Sequence, residues 1–320
     1  MLMSLREWLF VGLIGWITVM IAPGCGTADD PAEAARGPIS KVKVAAIQCS
    51  SELGAVENNR NKLTELVRQA AGGGAKIIVL PETAITGYIS QDLRTNWHVP
   101  GRPIEAAFRG TNPATAAETV PGPSTDYFCA LAKELKIYLT IPLLERNGEL
   151  PASPDEIDSP APAMGPKYFN TVCLASPDGQ LVAHYRKLNP WPYPEKSWAT
   201  PGDRGIQTYD TEYGRIGLAI CFDIHSVLEQ YESEQLWALL YPIAWVDEEH
   251  PVDWFWHRLP SRVAKFHHYL IGANWSVDRA QKWRGYGFST IIGPDGSIVA
   301  TAKSLYGSQI VYADINVARR

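Results

Sequence analysis

Lys41-Val42-Lys43-Val44-Ala45-Ala46-Ile47-Gln48 begins by alternating charged and apolar residues, and a period of two is the pattern of a β-strand with one buried face. Outward from it, Asn58 to Ala71 carries Leu63, Leu66, Val67 and Ala70 at helical spacing, and Gly72-Gly73-Gly74 stops the helix. Ile77-Ile78-Val79-Leu80 then forms a short unbroken apolar run, as a strand buried on both faces requires. Strand, helix and strand in this order predict a layered α/β fold with helices packed on a sheet.

The chain has 320 residues, 46% of them hydrophobic and 20% charged, a balance that fits one large globular domain and excludes a disordered chain or a multi-span membrane protein. Its net charge of -5 is unclustered, so there is no electrostatic footprint for nucleic acid and a small molecule is the expected partner. Residues 1–25 read as an export signal. Arg6 precedes an uncharged run from Trp8 to Ala22, short for a membrane span, that ends at Pro23-Gly24-Cys25-Gly26. Small residues before Cys25 resemble a bacterial lipoprotein signal, which makes Cys25 the candidate lipidation site and predicts an exported protein anchored at a membrane. An ordinary cleaved signal and an uncleaved anchor are the alternatives, and all three export the chain. Residues 26–40, rich in Ala, Asp and Pro, read as a flexible tether to a folded domain over residues 41–320.

With Cys25 set aside, Cys49, Cys129, Cys173 and Cys221 remain, scattered in apolar stretches without the density of a disulfide scaffold and without zinc-ligand spacing. Free thiols are expected, with no metal and no cofactor. A helix is expected from Ser124, as N-cap, to Lys136, followed by a strand over Ile137–Leu144. Two hairpins share one turn device, Asn170–Ser176 with Gln180–Tyr185 around Pro177-Asp178-Gly179, and Ser289–Gly293 with Ser297–Ala302 around Pro294-Asp295-Gly296. Helices are expected from about Ser226 to Trp237 and from Asp253 to His268, the second broken or kinked at Pro260. Strands are expected over Ala238–Trp245, Tyr269–Asn274 and Gln309–Ile315, and irregular loops over Ile89–Pro121 and Pro151–Pro166.

Three chemistry-bearing residues stand where a strand gives way to a loop. Gly214-Arg215-Ile216-Gly217-Leu218-Ala219-Ile220 delivers Cys221, Ile77 to Leu80 delivers Glu82, and the first hairpin ends at Arg186-Lys187. Each has a plainer reading: a buried cysteine as a small hydrophobe, a glutamate in a solvated turn, a lysine pointing into water. Together, a base, a cation and a thiol at strand ends are the parts needed to attack an amide or nitrile carbon. The proline-stiffened loop Leu188–Glu195 adds Trp191 and Glu195. Of the 11 tryptophans, Trp245, Trp254, Trp256 and Trp275 follow strands or lie in their loops and are candidates for a substrate wall.

Leu80-Pro81-Glu82-Thr83, Tyr185-Arg186-Lys187-Leu188 and Ala219-Ile220-Cys221-Phe222-Asp223, in this order and at these separations, resemble the nitrilase superfamily of carbon-nitrogen hydrolases, over essentially Lys41 to Ile315. Lys187 through Glu195 looks like the aliphatic amidase pattern, whereas Cys221-Phe222-Asp223-Ile224 and Tyr241-Pro242-Ile243-Ala244-Trp245 look like the pantetheinase and biotinidase branch. The resemblance implies a four-layer α-β-β-α sandwich that often pairs into homodimers. It also implies a Glu82, Lys187 and Cys221 catalytic set, with Glu195 orienting substrate and water or sharing the proton traffic. The nitrilases proper place Trp-Glu after the nucleophile, and Phe222-Asp223 departs from that, which favours an amide over a nitrile.

On this reading Glu82 takes the Cys221 proton, while Lys187, which also lowers the thiol pKa, neutralises the oxyanion together with the backbone N–H of Phe222. A thioester forms and water hydrolyses it. Trp191, Trp245 and Asn274 are the candidate substrate-binding residues. The alternatives are a nitrilase or carbamoyl-amine hydrolase on the same scaffold, an acyltransferase, a Cys221–His225 dyad, and an exported binding protein without activity.

Overall fold

The computed structural model describes residues 40–88, 116–148, 167–192, 195, 198–245, 253–277 and 287–318. The export signal with Cys25, the tether over 26–39, the loop at 151–166 and most of the loop at 89–121 lie outside the described residues.

Strand β1 (Lys41–Gln48) leads through helix α1 (Val56–Gly72) to β2 (Ile77–Val79), and helix α2 (Pro123–Leu135) to β3 (Tyr138–Asn147), β4 (Lys167–Ala175) and β5 (Leu181–Arg186). These strands form one sheet in the order β12-β1-β2-β3-β4-β5, in which the last strand of the chain, β12 (Gln309–Asn316), runs antiparallel to β1 from Lys41↔Asn316 to Gln48↔Gln309. The second sheet, β11-β10-β9-β8-β7-β6, holds β6 (Thr208–Asp210), β7 (Arg215–Leu218), β8 (Ala238–Ile243), β9 (Tyr269–Asn274), β10 (Thr290–Ile292) and β11 (Ile298–Thr301).

Side-chain alternation builds the layers. Val42, Val44, Ala46, Ile77 and Val79 enter the core shared with the second sheet. Their neighbours Ala45, Ile47, Ile78 and Leu80 pack with Leu63 and Val67 of α1 and Phe128 and Ala132 of α2. From Val44 onward β1 is therefore buried on both faces, not on one, because a second sheet covers the face opposite the helices. Helix α3 (Leu259–Phe266) adds Leu259 and Val263 to the shared core from the side of the second sheet. The fold is the four-layer α-β-β-α sandwich, with both hairpins in place.

Three local expectations are corrected. The stretch from Ser226 to Trp237 is not an α-helix: the chain tightens at once into 3-10 turns over Cys221–His225 and Leu228–Glu234. Asp223 turns its carboxylate back onto the Ile220 N–H, and Ser226 at φ -147 interrupts any continuous helix. Ahead of Pro260 the chain makes a π turn, Trp254–Arg258, closed by the Leu259 N–H on the Trp254 carbonyl, and the α-helical part is confined to Leu259–Phe266, with the proline, which has no N–H to give to the preceding turn, in its first turn. Gly122, not Ser124, is the N-cap of α2, and Ser124 gives its N–H and hydroxyl to the Glu118 carboxylate at 2.7 and 2.8 Å.

Candidate active site

Beyond β7 the chain reaches Cys221, which adopts φ 41, a left-handed conformation that non-glycine residues occupy at a cost of about 1–3 kcal/mol. The surroundings hold it there. The Tyr241 hydroxyl donates to the Cys221 carbonyl at 2.6 Å, and the Ile220 N–H donates to Asp223 Oδ2 at 3.0 Å. Cys221 is buried, and burial pushes its thiol well up, as do Glu82 and Glu195, while Lys187 and the Ala244 backbone N–H pull it down. Lys187 thus acts on the thiol in the expected direction, but the buried resting state keeps the thiol protonated.

Glu82 is fully buried and pinned across the sandwich. Its N–H reaches the Ile243 carbonyl at the end of β8 at 3.4 Å, and its carbonyl accepts the Trp275 indole N–H at 2.7 Å. Carboxylate atom Oε1 accepts Lys187 Nζ and Asn170 Nδ2, each at 2.7 Å, while Oε2 is buried with no hydrogen-bond partner among the described residues. Burial pushes Glu82 up to about 7, with Lys187 pulling it down and Glu195 adding to the rise.

Lys187, only 1% exposed, is far from the solvent where a strand-exit lysine normally ends. Its backbone continues the hairpin, N–H to the Asn170 carbonyl at 2.8 Å, which turns its side chain inward to lie 2.7 Å from both Glu82 Oε1 and Glu195 Oε2. Burial works to lower this lysine, and Glu195, Glu82, Cys221 and Asp223 outweigh it and hold the ammonium charged. Glu195 is itself fully buried and accepts Asn170 Nδ2 at 2.6 Å and the Trp191 N–H at 2.5 Å. The structure therefore brings Glu82, Lys187, Glu195 and Cys221 into one electrostatically connected cluster at the rim where the two sheets meet. Cys49, Cys129 and Cys173 are free and buried elsewhere in the core.

The remaining candidates divide. Trp191 packs against Tyr88, Ala244 and Trp275, beside the residue whose N–H acts on the thiol. Trp245 stacks on Trp254 at 4.6 Å, and His225 lies against Trp254 and Phe222, 4.9 Å from each. His225 is thus part of an aromatic wall, held below its ordinary pKa by burial. Asn274 does not offer its amide to a ligand: Oδ1 accepts the N–H groups of Trp245 and Trp275 at 3.0 and 2.9 Å, and Nδ2 donates to the Gly287 carbonyl at 2.7 Å. It braces the loop that carries Trp245. Trp275 likewise is a brace for Glu82.

Asn170 was not singled out as a site residue, although a lone amide in the buried strand Asn170-Thr171-Val172-Cys173 is a polar interruption that marks it. Its Nδ2 bridges the two glutamates. Asp223, Tyr185 and Tyr241 also went unassigned, each lying within a quoted motif.

A buried thiol, an ammonium and two carboxylates at the rim of an α-β-β-α sandwich define a cysteine hydrolase of the nitrilase kind. The chain belongs to the carbon-nitrogen hydrolase family, whose sequence profile matches residues 43–320. Among curated relatives it is 29% identical over 272 residues to the omega-amidase NIT2 of Homo sapiens, covering 82% of this chain and 84% of that protein. It is 27% identical over 290 residues to the omega-amidase NIT2 of Danio rerio, with 87% and 90% covered. Among solved structures, a mutant of the amidase from Nesterenkonia sp. AN1 in complex with butyramide superposes with a TM-score of 0.65 at 18% identity, covering 87% of this chain and 92% of that one. Nit3 of Saccharomyces cerevisiae, a member of branch 10 of the nitrilase superfamily, gives 0.63 at 24% identity, with 87% and 90% covered.

Proposed function

We propose that this protein hydrolyses a small carboxamide to a carboxylate and ammonia or amine, with Cys221 as nucleophile and Glu82 as general base. The observation that carries the reading is Glu82 Oε2, a buried acceptor without a partner among the described residues, on a carboxylate whose other oxygen is fixed by Lys187 and Asn170. A pKa of about 7 suits a group that must take a proton from the thiol and return it to the leaving amine near neutrality. Attack by the thiolate turns the carbonyl oxygen into an oxyanion, which the Lys187 ammonium and the Phe222 N–H neutralise, each donor worth on the order of 3 kcal/mol. Collapse expels the amine with the Glu82 proton and leaves a thioester. Water, deprotonated by Glu82 and oriented by Glu195, attacks the thioester and frees Cys221.

An amide is favoured over a nitrile by Phe222-Asp223 after the thiol. Two further observations point the same way. The curated relatives are named omega-amidases, and a mutant of the Nesterenkonia amidase shows covalent addition of the acetamide moiety of fluoroacetamide at the active-site cysteine. Ammonia and amine release across a panel of small amides, carbamoyl amines and nitriles tests the reading. Cys221→Ala is expected to abolish turnover, with Glu82→Gln and Lys187→Ala each losing about 10²- to 10⁴-fold. Full activity in Cys221→Ala, or a preference for nitriles, overturns it.

A further inference from the structure

Asp223 ties together pieces of chain that carry separate parts of the chemistry. Its Oδ2 accepts the Ile220 N–H at 3.0 Å and the Tyr185 hydroxyl at 2.7 Å, and its Oδ1 accepts the Asn189 N–H at 2.8 Å. Ile220 immediately precedes Cys221, and Tyr185 and Asn189 flank Lys187 on either side. The carboxylate is fully buried. Lys187 follows β5, an edge strand of the first sheet, whereas Cys221 follows β7 of the second, so no strand pairing sets one against the other.

We propose that Asp223 is a positioning residue, which holds the left-handed elbow of Cys221 and sets its thiol against the Lys187 ammonium. The proposal rests on the reading of Cys221 as nucleophile. A residue at φ 41 persists only where its surroundings over-determine it, and here the carboxylate fixes the residue before the elbow while the Tyr241 hydroxyl fixes the carbonyl of the elbow itself. The side chain must be a carboxylate. Three donors converge on its two oxygens, and an amide, whichever way it is turned, would set an N–H against either the Ile220 or the Asn189 N–H. The same anion also faces Lys187, where it adds to the charges that keep the ammonium protonated.

The test compares Asp223→Asn and Tyr185→Phe with the wild type, measuring the folded fraction by urea denaturation and expressing turnover per folded molecule, each counted as one site. A residue that only stabilises the fold lowers the number of sites and leaves turnover per site unchanged. Positioning predicts full site counts, kcat per site lower by about 10²-fold in Asp223→Asn, the scale of a 1 Å misplacement, and KM little changed. Cys221 alkylation slows in parallel. Tyr185→Phe removes one of the three donors and is expected to lose roughly 5-fold, about the worth of one hydrogen bond. Wild-type kcat per site in both variants overturns the proposal, and if Asp223→Asn does not fold, Tyr185→Phe decides alone by the same criterion. Cys221→Ala run alongside separates the two failures. Activity surviving there sinks the nucleophile assignment, whereas activity lost there with unchanged kcat per site in the other variants sinks only the role of Asp223.

Discussion

Replacing Asn170 by leucine keeps its branched shape and removes an amide that works for both carboxylates. Nδ2 donates to Glu82 Oε1 at 2.7 Å and to Glu195 Oε1 at 2.6 Å, and Oδ1 has no partner among the described residues. A hydrogen bond to a charged group is worth about 1.5–3 kcal/mol, and a pKa unit corresponds to about 1.4 kcal/mol. The bond to Glu82 alone then stands for about one to two pKa units in favour of the ionised carboxylate. Burial already holds Glu82 at about 7, and catalysis begins from its ionised form. Asn170→Leu is therefore expected to move the rising limb of kcat/KM one to two pH units alkaline, with activity at pH 7 down about 5- to 50-fold and recovered on raising the pH. Initial rates of ammonia release from a small amide across the pH range measure it. A rate lowered uniformly with the limb unmoved refutes the reasoning, since Asn170 would then not be stabilising the charge on Glu82. The linked stability has a definite sign. Folding raises Glu82 from 4.5 to about 7, so its contribution is fully present below 4.5 and lost as the pH rises through 7.

Trp275→Phe keeps most of the ring and deletes the indole bond to the Glu82 carbonyl. A stability loss of about 1–3 kcal/mol in urea denaturation is expected, with kcat falling, and a variant indistinguishable from wild type in both would show that Glu82 needs no brace. On the outer face of β5, Arg186 donates to both oxygens of Glu145, which also accepts His184 and Thr171. Burial acts to raise Glu145, and these partners overcome it and pull the carboxyl down to about 2, so its contribution is present above the ordinary 4.5 and lost as the pH falls through 2. Arg186→Met is expected to cost about 3–5 kcal/mol and to move acid unfolding to higher pH, and a loss below about 1 kcal/mol would contradict it.

Glu82, Lys187 and Cys221 were legible because each depends on local pattern: an apolar run that ends, then one reactive side chain. The layers were legible too, since Ile77 to Leu80 could only be a strand covered on both faces. What the pattern could not carry is contact between distant positions. Asn170 meets Glu82 across 88 residues of chain and Trp275 meets Glu82 across 193, separations at which no periodicity links the partners. Trp275 accordingly reads as wall and is a brace, and Asn274 reads as a ligand contact where its Oδ1 and Nδ2 hydrogen-bond to backbone. The 3-10 turns after Cys221 have a different origin: the chain leaves helical geometry at Ser226, φ -147, and again at Gln235 in the left-handed region, so helix propensity over Ser226 to Trp237 does not prevail.

The pairing of β12 with β1 along its whole length has a consequence for the protein during its own synthesis. Glu82 and Lys187 follow strands of the first sheet and Cys221 a strand of the second, and β12, an edge of the first sheet, is translated after all three. A growing chain on the ribosome holds its cysteine long before it holds a finished sandwich to press Glu82 and Lys187 against it. Until residues 309–316 emerge and close on β1, that strand presents an unpaired edge along its whole length, open to any other extended segment within reach.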